Sequence, residues 1–317
     1  MQYGFSIKRK CYLLSVLLMT VWLTGCVQEE FESTPSPAGN GIRFTLTVPD
    51  VNLPSVSSRT MTGTGTAKKE DEIETVDILV FDMSKTPAVY LECVSATGVT
   101  QDLADNSTVS FSAVLSPTTA STCIVVVANK ELDNIVSGFT KGATTKVEAM
   151  EKMLHTQTGK WLADGSTTGG YTRIPMYGEK VISKITPSMD PITGINMKRM
   201  LARIDIRNNS VTSNFMVEEV YLANYNTTGY IAPAWNTNGQ VTEPAPDTPV
   251  LPTGSGKMTE EGNAILYSVN GNTPYDGEIY TFESLAAGDA GGAGQDGEAS
   301  RKDATCLIVK GKIGTGE

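Results

Sequence analysis

Polar and apolar residues alternate strictly in the stretch "IRFTLTV", where Ile42, Phe44, Leu46 and Val48 share one face and Arg43, Thr45 and Thr47 share the other. That period of two predicts a half-buried strand. The stretch "IETVDILVFD" behaves differently, because it is apolar on both faces from Ile78 to Phe81, as a strand in the middle of a packed sheet is. Further strands are predicted at 89–95, at 109–115 and in the β-branched run 123–128. Between Thr144 and Thr156 the period changes. Val147, Met150 and Leu154 recur at helical spacing, and Thr145 followed by Glu148 has the form of a capping box. His155 then falls at the C-terminal end of that helix, where a cation suits the helix dipole.

Farther on, "NMKRMLARIDIRN" places Met200, Ala202, Ile204 and Ile206 on one side and Arg199, Arg203, Asp205 and Arg207 on the other. One wet face predicts an antiparallel sheet. "FMVEEVYLANY" and "CLIVKGKI" supply later strands, separated by a Pro-rich loop at 243–254 and a Gly-rich loop at 286–300. Many short strands with frequent turn signals and one short helix predict a mainly β protein built of sandwiches. No internal repeat is visible.

The N-terminus follows another logic. Lys8, Arg9 and Lys10 precede the uncharged run "YLLSVLLMTVWL", the n-region and h-region of a secretory signal. The run is shorter than the roughly 20 residues a spanning helix needs. It ends in "LTGC", which resembles the bacterial lipobox: the bond between Gly25 and Cys26 is cut, and the Cys26 thiol carries the lipid. Several acyl chains on one cysteine hold a domain on a membrane without a spanning helix, since each buried methylene adds about 0.8 kcal/mol. Residues 1–25 are therefore read as a lipoprotein signal peptide. Residues 26–40, rich in Glu, Ser, Pro and Gly, are read as a flexible leader. The remaining length suits two domains, 41–195 and 196–317.

A net charge of -10 and the lack of a basic run outside the signal argue against a nucleic-acid partner. Five cysteines become three once Cys11 leaves with the signal and Cys26 is lipidated, so Cys93, Cys123 and Cys306 cannot pair completely. Cys123 and Cys306 each open an apolar strand and read as small buried hydrophobes.

The spacing of these cysteines suits neither C-x-x-C nor any metal site, and no cofactor is implied. His155 is the one histidine, so any Ser-His-Asp or Cys-His mechanism must pass through it. "GTGTAKK" lacks the spacing of a phosphate loop, and "GGAGQD" matches the start of a calcium-binding nonapeptide that requires stacked copies. Glu218 and Glu219 are adjacent on a strand and are expected on opposite faces, the wrong geometry for paired carboxylates. Trp161, Tyr230 and Trp235 could stack on sugars or pack in a core. No catalytic residue emerges.

Taken in order, the lipobox, the strand from Ile42, an arginine in the following loop, "ETVDILVFD", "CIVVVANK", "IPMYGE", "INMKRMLARIDI", "VEEVYLANY", "IYTFES" and "CLIVKGKI" resemble the fimbrillin family of Bacteroidales, the FimA-like and Mfa-like fimbrial lipoproteins. The resemblance covers residues 41–317. It implies two β-sandwich domains of transthyretin-like Greek-key topology, the second of them truncated after "VKGKIGTGE". It also implies a pilus subunit, lipid-anchored in the outer membrane and then found at the cell surface or in a fimbrium, whose partners are other fimbrial subunits and host or bacterial surface ligands. In that scheme an arginine-specific protease cuts between Arg59 and Thr60. The strand carrying Ile42, Phe44, Leu46 and Val48 then gives up its groove to an extended segment of the next subunit, a case of β-augmentation. Two other readings stay open: a surface glycan- or adhesin-type binding lipoprotein, and an uncleaved fimbrial anchor.

Overall fold

The computed structural model describes residues 42–47, 70–101, 108–162, 172–206, 214–243, 249–253, 257–258, 264–268, 275–284 and 304–314. The described chain is mainly β. Its first part runs through β1 (Ile42–Thr47), β2 (Val76–Asp82), β3 (Val89–Ser95), β4 (Thr97–Gln101), β5 (Thr108–Ala113) and β6 (Thr122–Ala128). Two short helices follow, α1 (Asp133–Val136) and α2 (Lys146–Lys152). Next come β7 (Leu154–Thr156), β8 (Met176–Ile182), β9 (Ile192–Asn196) and β10 (Lys198–Arg199). The rest comprises β11 (Ala202–Ile206), β12 (Phe215–Ala223), β13 (Tyr225–Asn226), β14 (Thr228–Tyr230), β15 (Lys257–Met258), β16 (Ile265–Ser268), β17 (Tyr275–Thr281) and β18 (Cys306–Ile313).

Two sheets form a sandwich, one in the order β4-β5-β1-β9 and the other in the order β10-β8-β6-β2-β3. Between them lies a core of Ile42, Phe44 and Leu46 from β1, Val109 and Phe111 from β5, and Ile78, Val80, Ile124 and Val126 from β2 and β6. The alternate residues of β2 and β6, namely Leu79, Phe81, Cys123, Val125 and Val127, point the other way. They meet Ala149, Met150 and Met153, and also Trp161, Ile231, Tyr280 and Phe282 from later in the chain. Both faces of this sheet are thus covered, which is why "VDILVFD" and "TCIVVVA" carry continuous apolar runs. A third, smaller core of Val220, Leu222, Tyr225, Tyr267 and Ile279 draws on the β11-β17 pair and the β16-β12-β18 sheet.

Helix α2 starts as its sequence predicts. The Thr145 hydroxyl accepts the Glu148 amide at 3.2 Å, and the Glu148 carboxylate accepts the Thr145 amide at 2.7 Å, which completes the capping box. Its end differs from the expectation. Met153 leaves helical geometry, and Leu154 and His155 extend into β7, paired with β14. Leu154 stands four residues after Met150, so apolar spacing alone continues the helix, whereas the backbone hydrogen bonds of the β7-β14 pair end it.

Four other expectations are corrected. "NMKRMLARIDI" is not one strand, because the chain breaks at Met200 and Leu201 between β10 and β11, which join different sheets. Arg199 and Arg203, expected in water, instead reach Asp71 and Glu70. A bulge at Glu218 in β12 turns both neighbouring carboxylates toward one face, where Glu219 meets Lys310 at 2.8 Å and Glu218 meets Lys312. Cys306 is exposed on β18, an edge strand of its described sheet.

Candidate functional site

Strand β1 lies inside its sheet. It pairs antiparallel with β5, from Ile42 opposite Ala113 to Thr47 opposite Thr108, and parallel with β9, where Phe44 faces Ile192 and Leu46 faces Ile195. The alternation read from the sequence has its predicted consequence. Ile42, Phe44 and Leu46 are buried to 5%, 1% and 0% exposure, while Arg43 and Thr47 are exposed. Phe44 stacks on Phe111 with centroids 5.0 Å apart and planes 9° from parallel. Beyond Thr47 the Met197 amide donates to the Thr47 carbonyl at 2.9 Å. Burying three such side chains contributes about 1.5–3 kcal/mol each. The seat of β1 is therefore a groove between β5 and β9 whose floor is the sandwich core. Val48, Gly25, Cys26, Arg59 and Thr60 lie outside the described residues.

Where the described chain resumes at Glu70, it is strapped down at once. Glu70 is 4% exposed, and its carboxylate accepts two hydrogen bonds from Arg203 Nη1, at 2.9 and 3.1 Å, and one from the Tyr280 hydroxyl. Arg199 donates to Asp71 and, at 3.3 Å, to the Glu70 carbonyl. On the other side Gln101 donates to the Asp71 carbonyl at 2.7 Å and accepts the Ile73 amide at 3.1 Å. The segment Glu70–Ile73 is thereby tied both to β4 of the sandwich and to the β11-β17 pair. Sequence reasoning missed this clasp. Glu70 stands in the run "KKEDE", which reads as solvated charge, and its partners lie 133 and 210 residues away.

The groups considered for chemistry occupy packing positions. His155 sits 5.1 Å from the Trp161 ring and 6.4 Å from Phe282, and burial followed by the charge of Lys130 pushes its pKa down. Gly229, opposite His155 in the β7-β14 pair, lies under Phe282, and a Cβ there would fall 2.5 Å from the ring. Trp161 is 3% exposed and donates from Nε1 to the Thr172 carbonyl at 3.0 Å, which removes it from the set of sugar platforms. Tyr230 and Trp235 are half-buried and meet edge to face at 4.8 Å. Cys93, Cys123 and Cys306 are all free. Burial pushes the Cys123 thiol up to about 11 and the Cys93 thiol up to about 12, so neither supplies a thiolate near neutral pH. Buried Lys146 pairs with Glu179 at 2.6 Å, and the Tyr177 hydroxyl donates to the same oxygen at 2.5 Å.

Comparison with known proteins adds the following. A family model described as major fimbrial subunit protein (FimA) matches residues 42–298. Among solved structures, the chain is similar to a cell adhesion protein from Parabacteroides distasonis, with 16% identity and a TM-score of 0.49 over 88% of this chain and 76% of that one. It is also similar to a fimbrial assembly protein from the same organism, with 13% identity and a TM-score of 0.40 over 87% and 83% of the two chains. An adhesin from Bacteroides ovatus aligns at 14% identity with a TM-score of 0.33, over 77% of this chain and 68% of that one. Curated protein sequences give no match.

Proposed function

Because the chain belongs to the major fimbrial subunit protein (FimA) family, we propose that it is a structural or adhesive subunit of a fimbrium, exported as a lipoprotein through Cys26 and assembled by exchange of β1. The observation that carries this reading is the position of β1. An interior strand with both edges paired and three side chains in the core leaves, when it departs, a groove with two open ladders and an apolar floor. An extended segment of another subunit with alternating apolar residues fits such a groove, main-chain hydrogen bonds giving affinity and side-chain pockets giving register. Open edges also invite aggregation, so departure and replacement belong to one event.

Arg59 lies in the connection between β1 and the Glu70 clasp, among Ser57, Ser58, Thr60 and Gly63, small and polar residues that suit a protease. A cut between Arg59 and Thr60 separates β1 and the lipid from the body. The clasp holds the body's new N-terminal segment at Glu70. The division into sandwiches at 41–195 and 196–317, with transthyretin-like topology, is part of this proposal. The first and third cores support it as two centres, and the shared second core joins them. The partners are other fimbrial subunits, and the outer membrane for as long as Cys26 remains attached.

N-terminal sequencing of surface material tests the reading. A start at Thr60 in purified fibres is the expected result. A blocked Cys26 in fibre-associated chain assigns the anchor role instead, and absence from every fibre overturns the proposal.

A further inference from the structure

We propose that the cleft between α1 and α2 is a binding subsite for a neutral sugar ring, at the scale of a disaccharide; the proposal names a ligand class for the adhesive reading above and rests on it. The cleft measures about 390 Å³ and is lined by Asn134, Ile135, Phe139, Thr144, Glu148 and Lys152, among others. Ligand sites fall at roughly 300–1,000 Å³, so the cavity admits one or two pyranose rings and not a folded partner.

Its lining is mixed in a particular way. Phe139 is half-buried and held edge-on against Tyr90 at 5.3 Å, so its ring is fixed in orientation. With Ile135 it supplies an apolar wall of the kind on which the C–H face of a sugar packs. Around that wall stand polar groups with unused hydrogen-bonding capacity. The Glu148 Oε2 atom is occupied by Thr145, at 2.7 Å to the amide and 2.9 Å to the hydroxyl, and Oε1 has no partner among the described residues. The Thr144 hydroxyl accepts the Thr140 amide at 2.8 Å and keeps its own proton to donate. The exposed Asn134 amide and the Lys152 ammonium are without side-chain partners among the described residues.

One wall is thus apolar and rigid, and the rim offers both donors and acceptors. An anion entering the cleft meets the Glu148 carboxylate, which its backbone and side-chain bonds to Thr145 keep ionised by lowering its pKa. A cation meets Lys152. Each hydroxyl of a neutral sugar donates and accepts at once, so it can use every group present, and its ring has an apolar face for Phe139. The capping box fixes Glu148 whether or not a ligand is present, so the acceptor is pre-organised.

Saturation-transfer NMR on the full chain in detergent, titrated separately with lactose, maltose and cellobiose, tests the proposal. At least one of the three sugars is expected to bind with a dissociation constant in the millimolar range. Phe139→Ala should abolish binding. Because Phe139 also packs on Tyr90, the surface variants N134A and K152A are decisive, and each should weaken binding at least threefold with unfolding midpoints unchanged. No transfer from any sugar at 20 mM overturns the proposal, as does binding that both surface variants leave intact. Incorporation of the K152A chain into fibres is scored in parallel. Weakened sugar binding by K152A chains that still build normal fibres supports the cleft as a site separate from assembly, whereas parent chains that build normal fibres yet bind none of the three sugars would overturn the cleft and leave the fimbrial reading standing.

Discussion

Truncation of Phe44 to alanine probes the seat of β1 most directly. The side chain is 1% exposed, stacks on Phe111 and lies in the core with Ile78, Val80, Ile124 and Val126. A buried Phe→Ala change costs about 3–5 kcal/mol through lost transfer energy and the cavity left behind. The stacked partner accounts for about 0.5–1.5 kcal/mol of that. Against a total stability of about 5–15 kcal/mol the loss is large. In urea, with a slope of about 3 kcal/mol/M, the first unfolding transition should move down by about 1–1.7 M. Arg43→Ala on the exposed face of the same strand is the control and should stay within about 0.5 kcal/mol of the parent. In a preparation cut at Arg59, release of the β1 peptide should be at least about a hundredfold faster with Phe44→Ala, since 1.4 kcal/mol corresponds to a factor of ten. Equal urea midpoints for the two variants would refute the argument that this strand's apolar face closes the sandwich.

Glu70→Ala leaves Arg203 and Tyr280 facing an emptied, mostly buried site, and should destabilise the chain by about 3–5 kcal/mol in chemical denaturation; a change under 0.5 kcal/mol would show that the clasp is ornamental. His155 has a folded pKa below its ordinary 6.5, so the unfolded chain takes up the proton first: stability is full above about pH 6.5 and declines as pH falls through that value. His155→Phe should flatten that slope between pH 7 and 5.5 in thermal melts, and an unchanged slope counts against it. Cys306 should react with a thiol reagent in the native state at neutral pH, whereas Cys123 should react only under denaturant; mass spectrometry of labelled peptides reads both, and equal labelling would contradict their assigned environments.

Local patterns carried much of the fold. The alternation from Ile42 predicted which residues of β1 are buried, and the capping box placed the start of α2 at its residue. Failures came where a distant partner decides the outcome. Leu154 and His155 keep helical spacing yet pair with β14, more than 70 residues later in the chain, and no local signal reports a ladder formed at that distance. Arg199 and Arg203 sit in an alternating run whose polar side reads as wet, but half-buried Asp71 and buried Glu70 wait for them. The bulge at Glu218 reversed the face expected of one carboxylate, and Cys306 is exposed on a strand that lies at the edge of its sheet among the described residues, a property of sheet order and not of the residues in the strand. For the candidate site, sequence named the strand that fills the groove. Its walls, Phe111 on one side and Ile192 and Ile195 on the other, required the topology.

Strand β1 runs antiparallel to β5 and parallel to β9, so those two walls run antiparallel to each other. Any strand laid between them, in whichever direction it enters, is antiparallel to one wall and parallel to the other. The ladders therefore place no vote on orientation: reversing the guest exchanges the two hydrogen-bond patterns between the walls and leaves their number the same. Direction has to be read by side chains, through the depth and order of the pockets that Ile42, Phe44 and Leu46 fill, of which the slot over Phe111 is the one shaped for a flat ring. A guest whose largest residue reaches that slot in only one orientation acquires a head and a tail from packing alone, and the polarity of a fibre built this way is written in its core.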